Sequence, residues 1–271
     1  MVLKNKAALV LGAVKGIGKE IGLALARKGA KLALNYFDWP DAVEDMKKDF
    51  ADSGAEHLIL KTDLLDTDKI GGLVEKVVAR FGRLDILINN IERGGWPIVH
   101  GAYQREQWDL EFATTLRAKQ WVFEAALPHL KASGDGAVIN FSSISGIVGR
   151  SGPAGLIFND GYSAANRAIS LLTETWARTG APEVRVNEIM LGFFKTRHAE
   201  ETRGWGLLSR QQREAILSRT PLGRTGEMED VVKAVLYMLE DAPFMTGSVL
   251  RLDGGYVVGG EKVPPMPDGV L

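Results

Sequence analysis

The sequence predicts an α/β fold, a single domain built on a doubly wound parallel sheet with helices on both faces. Two patterns carry that expectation. Short apolar runs alternate with longer amphipathic stretches along the chain, the order in which βαβ units are written. A glycine turn, Gly12-Ala-Val-Lys-Gly16-Ile-Gly18, joins the first apolar run to the first amphipathic one. At 271 residues and 45% hydrophobic, the chain is long enough to bury one sizeable core. No internal repeat, low-complexity block or linker divides it.

Taken in order, residues 7–11 are an apolar run suited to a strand buried on both faces. A helix follows over 17–28, with Ile21, Ala24 and Leu25 apolar and Gly29 as its stop. Strand two spans 31–35, a polar helix 41–53 and strand three 57–61. An amphipathic helix over 66–81 ends at Gly82, and strand four covers 85–90. Residues 107–130 read as one long helix, with Pro128 near its end. Strand five is 137–141, helix five 162–178 and strand six 184–190. A mixed insertion over 192–221 precedes a helix at 229–239 and a last strand at 248–252. The domain therefore runs over 1–256 with a lid at about 192–221, and residues 257–271 form an extended tail with three prolines.

Composition excludes several functions. The net charge is −1, with 33 basic and 34 acidic residues spread along the chain, so nothing points to nucleic acid or an acidic membrane surface. There are no cysteines, which removes disulfides, thiolate metal sites and cysteine nucleophiles and fits a reducing cytosol. The expected location is cytoplasmic. The apolar run after Lys4 and Lys6 is too short for a signal peptide and passes into glycine-rich, charged sequence. No run approaches the ~18 apolar residues of a membrane span. His57, His100, His129 and His198 are scattered without ligand spacing, so no metal site is expected.

The glycine turn lies where a strand meets a helix. Glycines there allow a tight turn and close approach of a pyrophosphate, and the helix N-terminus offers free N–H groups. Gly12, Lys15, Gly16, Ile17 and Gly18 are the candidate cofactor-binding residues. Any βα corner can need a glycine, but the first βα turn favours the cofactor. A second constellation lies further on. Ser143 ends a strand and Tyr162 opens a helix, so a hydroxyl and a phenol can converge on one carbonyl. Asn166 follows Tyr162 by one turn on the same helix face.

These motifs together resemble the short-chain dehydrogenase/reductase family. The resemblance is carried by Gly12-x-x-x-Gly16-Ile-Gly18, Asp63, Asn89-Asn90, Ser143, Tyr162, Arg185-Val-Asn187 and Leu222-Gly-Arg224 with Leu252-Asp-Gly-Gly255. It covers residues 4–256. It implies a Rossmann-type fold, an NAD(P)-dependent oxidoreductase and a homotetramer or homodimer. It places Asp63, with Leu64 beside it, at the adenine, and Asn89 in support of strand four near the cofactor. Asp63 also has a plainer reading as a cap before Leu64-Leu65. The acidic residue that marks NAD-preferring relatives is replaced by Tyr36, and the Arg of NADP-preferring ones by Phe37. Lys15 suits a 2′-phosphate by charge, whereas Asp38 argues the other way. The balance favours NADP over NAD.

In the family a Tyr exchanges the proton, a Ser binds the substrate oxygen, and a Lys one turn after the Tyr binds the ribose and lowers the Tyr pKa. Ser143 and Tyr162 match. Asn166 stands where the Lys would be and carries no charge. Arg167 points about 100° away around the helix. Thr115 matches a relay Asn of the fourth helix, and Glu92 a glycine; the Ser-to-Tyr spacing is 19 residues, so the loop 146–161 is extended. Three readings follow. One is a working carbonyl/alcohol oxidoreductase using Tyr162 and Ser143, with Asn166 and Thr115 beside them. A second is an impaired subunit pairing with an active relative, and a third a non-redox enzyme using Glu92.

The expected substrate is small and apolar or acyl-type. The lid and the loops 93–103 and 146–161 bring Trp96, Trp205, Phe193, Phe194, Leu207 and Leu208 near Arg93, His100, Lys195, Arg197, His198 and Arg203. The plainer reading packs those aromatics on the body of the protein and leaves the basic residues solvated. Helices four and five carry apolar residues on several sides. They are Trp108, Phe112, Leu116, Trp121, Val122 and Ala125 on one and Ile169, Leu171, Leu172 and Trp176 on the other. Subunit pairing through them is expected, with a second copy or with a paralogue.

Overall fold

The computed structural model describes residues 1–91, 103–194, 205–267 and 269. Seven strands form one parallel sheet: β1 (Ala7–Val10), β2 (Lys31–Tyr36), β3 (His57–Lys61), β4 (Ile86–Asn89), β5 (Gly136–Ser143), β6 (Val184–Leu191) and β7 (Val249–Leu252). Their order is β3-β2-β1-β4-β5-β6-β7. The winding therefore reverses between β1 and β4, the switch point at which such sheets take ligands beyond their carboxyl ends.

The strands are buried because each face is covered. Ala8, Val10, Leu32, Leu34 and Ile88 pack on Ile21 and Leu25 of α1 (Gly16–Arg27), Phe50 of α2 (Pro40–Asp52) and Val235 of α9 (Met228–Leu236). The alternate residues Ala7, Leu9, Leu87 and Val138 meet Val77 of α3 (Asp68–Phe81), Val122 of α5 (Ala118–Ala132) and Trp176 of α7 (Asp160–Gly180). This period-two division is what a doubly covered strand requires.

The long fourth helix expected over 107–130 is continuous but not uniform. It starts as α4 (Arg105–Glu111), widens into a π turn over Phe112–Arg117 and continues as α5. The extra residue per turn re-aims the side chains there, and Thr115 lies within it. The loop 146–161 contains two short elements that periodicity does not reveal, α6 (Ser145–Val148) and a 3-10 turn at Gly152–Leu156. In the insertion, α8 (Arg210–Arg219) begins at a capping box made by Ser209 and Gln212, which satisfies two helix-end donors reciprocally. Residues 261–267 are exposed and without regular structure.

Asp85 pins the foot of the sheet. It is fully buried and accepts from Ala7 N at 2.9 Å, Arg83 Nε at 2.7 Å and Lys6 Nζ at 3.1 Å. Burial pushes its carboxyl up, but the bonds from Arg83, Ala7 and Lys6 together outweigh burial and hold it below the usual range. A depressed folded-state value means the stabilisation is present above the unfolded value of about 4 and is lost as pH falls through the folded one. Asp85→Asn is expected to cost about 2–3 kcal/mol in urea unfolding at pH 7, and the gap should narrow below about pH 4. A gap constant from pH 7 to pH 3 would exclude the charge as its source.

Candidate active site

The cradle follows from backbone geometry. α1 begins at Gly16, and Lys15 before it makes no side-chain cap, so the first amides of the helix point outward without one. Gly16 has φ +57°, and a Cβ there would meet nothing within 4 Å. A Cβ on Gly18 would instead strike the Gly12 carbonyl and come within 2.9 Å of Asn90 Nδ2. The turn is thus tight on its protein side and open on its solvent side, a shape that fits a pyrophosphate. Ile17 is half-buried beside the core.

Lys15 Nζ lies 3.4 Å from the centroid of the Trp39 ring. Trp39 has φ 65°, in the left-handed region, directly before Pro40 at the start of α2. That cation–π contact keeps the Lys15 ammonium at the end of β2, beside the position where a dinucleotide's ribose lies in this fold class. Asp63 Oδ1 accepts from Leu65 N at 3.0 Å, so one carboxylate oxygen holds the turn after β3; Leu64 next to it is buried. Asn89 is buried on β4 and donates through Nδ2 to Asn140 Oδ1 at 3.2 Å, while Asn140 donates to Thr173 Oγ1 at 2.9 Å. This chain ties β4 to β5 and to α7.

Ser143 is the last residue of β5. Its Oγ accepts from Ser145 N at 3.1 Å, which polarises the hydroxyl and leaves its proton to donate. Tyr162 sits in the first turn of α7, which packs against β5. Asn159 caps this helix: its Oδ1 accepts from Tyr162 N at 2.8 Å, and its Nδ2 donates to Glu111 Oε1 at 2.5 Å. Glu111 Oε2 accepts from Tyr103 OH at 2.5 Å, and that same oxygen of Tyr103 accepts from Gly161 N at 3.1 Å. Burial first, and then the Glu111 carboxylate, push the Tyr103 phenol above its ordinary value. Tyr103 is thus a structural donor and not an acid. The C-terminal end of the 146–161 loop is therefore fixed by Glu111 of α4 and by Tyr103 just before that helix, and Tyr162 is held by its own backbone.

Asn166 is fully buried, and its Nδ2 donates to the Tyr162 carbonyl at 3.0 Å. That bond folds the amide nitrogen back onto its own helix. Thr115 is also fully buried, and its Oγ1 has no hydrogen-bond partner among the described residues. Glu92 lies outside the described residues, as do Arg93, Trp96, His100, Lys195, Arg197, His198 and Arg203.

Beside Tyr162 an apolar cluster forms from the extended loop and the lid. Phe158 stacks on Phe193 with ring centroids 5.6 Å apart, and Phe193 meets Tyr256 edge-on at 5.2 Å. Trp205, Leu208 and Ile216 join it, so the lid aromatics pack on the body, the plainer of the two expectations. Tyr256 is fully buried and accepts through its OH from Ala154 N at 2.8 Å. Sequence reasoning missed Glu111, Tyr103, Lys119, Glu188 and Tyr256. Glu111 and Lys119 did leave a signal, as part of a polar row at four-residue spacing, Gln107, Glu111, Thr115 and Lys119, on a helix rich in apolar residues.

The apolar residues expected to pair subunits are not all free to do so, and Phe112, Leu116, Ala125 and Leu172 are half-buried. Val122, Ile169 and Trp176 are buried within the chain, where Trp176 stacks on Phe123 at 4.5 Å. Trp108, Trp121 and Leu171 stay exposed.

The sequence model of a family described as enoyl-(acyl carrier protein) reductase matches residues 12–257. A 3-oxoacyl-[acyl-carrier-protein] reductase of Thermotoga maritima is 33% identical over 95% of this chain and 100% of its own length. A cis-4-hydroxycyclohexanecarboxylate dehydrogenase of Sinomonas cyclohexanicum is 30% identical over 93% of this chain and 96% of its own. Among solved structures, a short-chain dehydrogenase/reductase of Burkholderia xenovorans superposes with a TM-score of 0.79 at 26% identity, covering 94% of this chain and 98% of the other. The glycine cradle at the switch point, the serine at the end of β5 and the tyrosine opening α7 lie within that matched region, and the chain belongs to the short-chain dehydrogenase/reductase family of NAD(P)-dependent oxidoreductases.

Proposed function

We propose that this protein interconverts a carbonyl and a secondary alcohol on a small apolar or acyl-type substrate, with NADP in preference to NAD. The observation that carries the reading is the pair at the carboxyl end of β5: Ser143 with its hydroxyl polarised by Ser145 N, and Tyr162 fixed by the Asn159 cap. The nicotinamide, when bound, supplies or accepts the hydride. In the reducing direction Ser143 donates a hydrogen bond to the carbonyl oxygen, and Tyr162 gives that oxygen its proton. Gly12, Gly16, Ile17 and Gly18 would hold the pyrophosphate, with Asp63 and Leu64 at the adenine and Asn89 supporting β4. Thr115, buried on its π turn, would hold the helix face behind the nicotinamide end. The apolar cluster of Phe158, Phe193 and Trp205 beside Tyr162 supports an apolar substrate body. The names of the acyl-carrier and cyclohexanecarboxylate relatives support an acyl or carboxylate end.

Binding of the nucleotide is the first test. NADPH and NADH are titrated against the purified protein by fluorescence, with Lys15→Ala in parallel. The expected result is tighter binding of NADPH, and about a tenfold loss of NADPH affinity in the variant with NADH little changed. Equal losses for both would take Lys15 away from the 2′-phosphate.

The Asn166 side chain, folded onto Tyr162, favours a second reading in which this chain is an impaired subunit of an assembly with an active paralogue. Exposed Trp108, Trp121 and Leu171 support pairing through α4, α5 and α7, in a homotetramer or homodimer as well as with a paralogue. Failure of both nucleotides to bind would make the impaired subunit the reading to pursue.

A further inference from the structure

Beside Ser143 on β5, and reaching α7, lie two buried charges that the reaction as described does not use. Lys119, on α5 one turn after Thr115, is fully buried, and it is the only buried Lys or Arg among the described residues. Its Nζ donates to the Phe141 carbonyl at 2.5 Å, two residues before Ser143 on β5. Glu188, on β6 opposite Asn140, is also fully buried. Its Oε1 accepts from Ser142 Oγ and from Ser170 Oγ at 3.0 Å. Ser142 adjoins Ser143, and Ser170 lies one turn beyond Asn166 on α7. Burial raises the Glu188 carboxyl above its ordinary value, while Ser142, Ser170, Lys119 and Arg167 pull it back.

Such a pair is costly. A buried ion needs a partner and further hydrogen bonds to persist, and hydrophobic residues of similar volume would often serve stability as well. Here each charge reaches the elements that carry the reacting hydroxyls. Lys119 holds the end of β5, and Glu188 ties β5 to α7. A phenol with an ordinary pKa near 10 also needs nearby positive charge to exchange a proton at neutral pH, and Asn166 supplies none.

We propose that Lys119 is a positioning residue for the Ser143–Tyr162 pair, holding a buried positive charge beside it with Glu188 as counter-ion. The proposal rests on Ser143 and Tyr162 being the reacting pair. Arg167 of α7 acts on Glu188 together with Lys119, and Glu111 with Tyr103 lies at the start of α7, where Tyr162 sits. Lys119 and Glu188 act on Tyr162 with opposite sign. Removing the cation raises the Tyr162 titration, and removing the anion lowers it.

The test reads Tyr162 directly in the full chain without nucleotide. Tyrosinate absorbance is titrated with pH, with Tyr162→Phe subtracted to isolate one of the five tyrosines. Lys119→Met is expected to raise the midpoint by about one pH unit, and Glu188→Gln to lower it. Asn166→Lys in the Lys119→Met background should bring it back. With nucleotide and substrate, Lys119→Met should lose about tenfold in kcat while nucleotide Kd stays within about twofold. Midpoints that stay put, or that move in the same direction in both single variants, overturn the proposal whatever the thermal melts show. Should Lys119→Met fail to fold, Glu188→Gln decides alone: a lowered midpoint supports the proposal and any other result overturns it. The absorbance needs no turnover, so an inactive wild type would refute the proposed reaction and leave this test intact.

Discussion

Tyr162→Phe is expected to abolish carbonyl reduction, with a loss of at least ~100-fold in kcat, while nucleotide affinity and stability stay close to wild type. The substitution removes one oxygen and little else. Phe keeps the ring that packs on Phe158, whose centroid lies 5.9 Å away. The cap at Asn159 is made by the backbone amide of residue 162, and Asn166 bonds the backbone carbonyl of the same residue. Both bonds survive the change to Phe, because neither uses the side chain of residue 162. The variant therefore separates chemistry from architecture. Stopped-flow or steady-state kcat, fluorescence titration of nucleotide and a thermal melt check the three parts independently. Turnover within tenfold of wild type would remove Tyr162 from the proton transfer.

The contrast between what the sequence announces and what it conceals follows from the range of the interactions. Elements with strong periodicity, such as β3 at His57–Lys61, are set locally and are found where the pattern places them. The glycine turn is equally legible, because a backbone that must bend sharply admits few residue types. The π turn at Phe112–Arg117, which packs against α7, is not legible, because no glycine or proline within it marks a break in the helical pattern. The same holds for Glu111. Its role appears only once folding brings Asn159 and Tyr103 from distant positions onto its two oxygens. Lys119 and Glu188 lie 69 positions apart, so neither residue reveals the other. Tyr256 directly follows the Leu252-Asp-Gly-Gly255 motif, but its bond to Ala154 comes from the extended loop reaching across.

Substitutions at Gly18 and Gly16 are expected to separate two functions of the cradle that the glycine pattern presents as one. At Gly18 the obstacle is protein. An added methyl group would collide with the Gly12 carbonyl and crowd the Gly12 carbonyl carbon and Asn90 Nδ2, both at 2.9 Å. Two of those atoms are backbone, so the turn itself must shift. Gly18→Ala should therefore lose about 1–3 kcal/mol of stability, the range seen for overpacking, and lose nucleotide binding with it. At Gly16 the obstacle is absent. A methyl group there meets no atom within 4 Å, and only the positive φ of +57° resists it, at a cost of about 1 kcal/mol. That open space lies where the pyrophosphate would rest, so Gly16→Ala should weaken nucleotide binding by at least ~10-fold with a smaller fall in stability. Gly54 serves as the control, since it combines φ +68° with open space far from the cradle. Gly54→Ala should match Gly16→Ala in urea unfolding and leave nucleotide affinity unchanged. Gly16→Ala binding nucleotide as tightly as Gly54→Ala would place the pyrophosphate elsewhere and undo the cradle as the cofactor site.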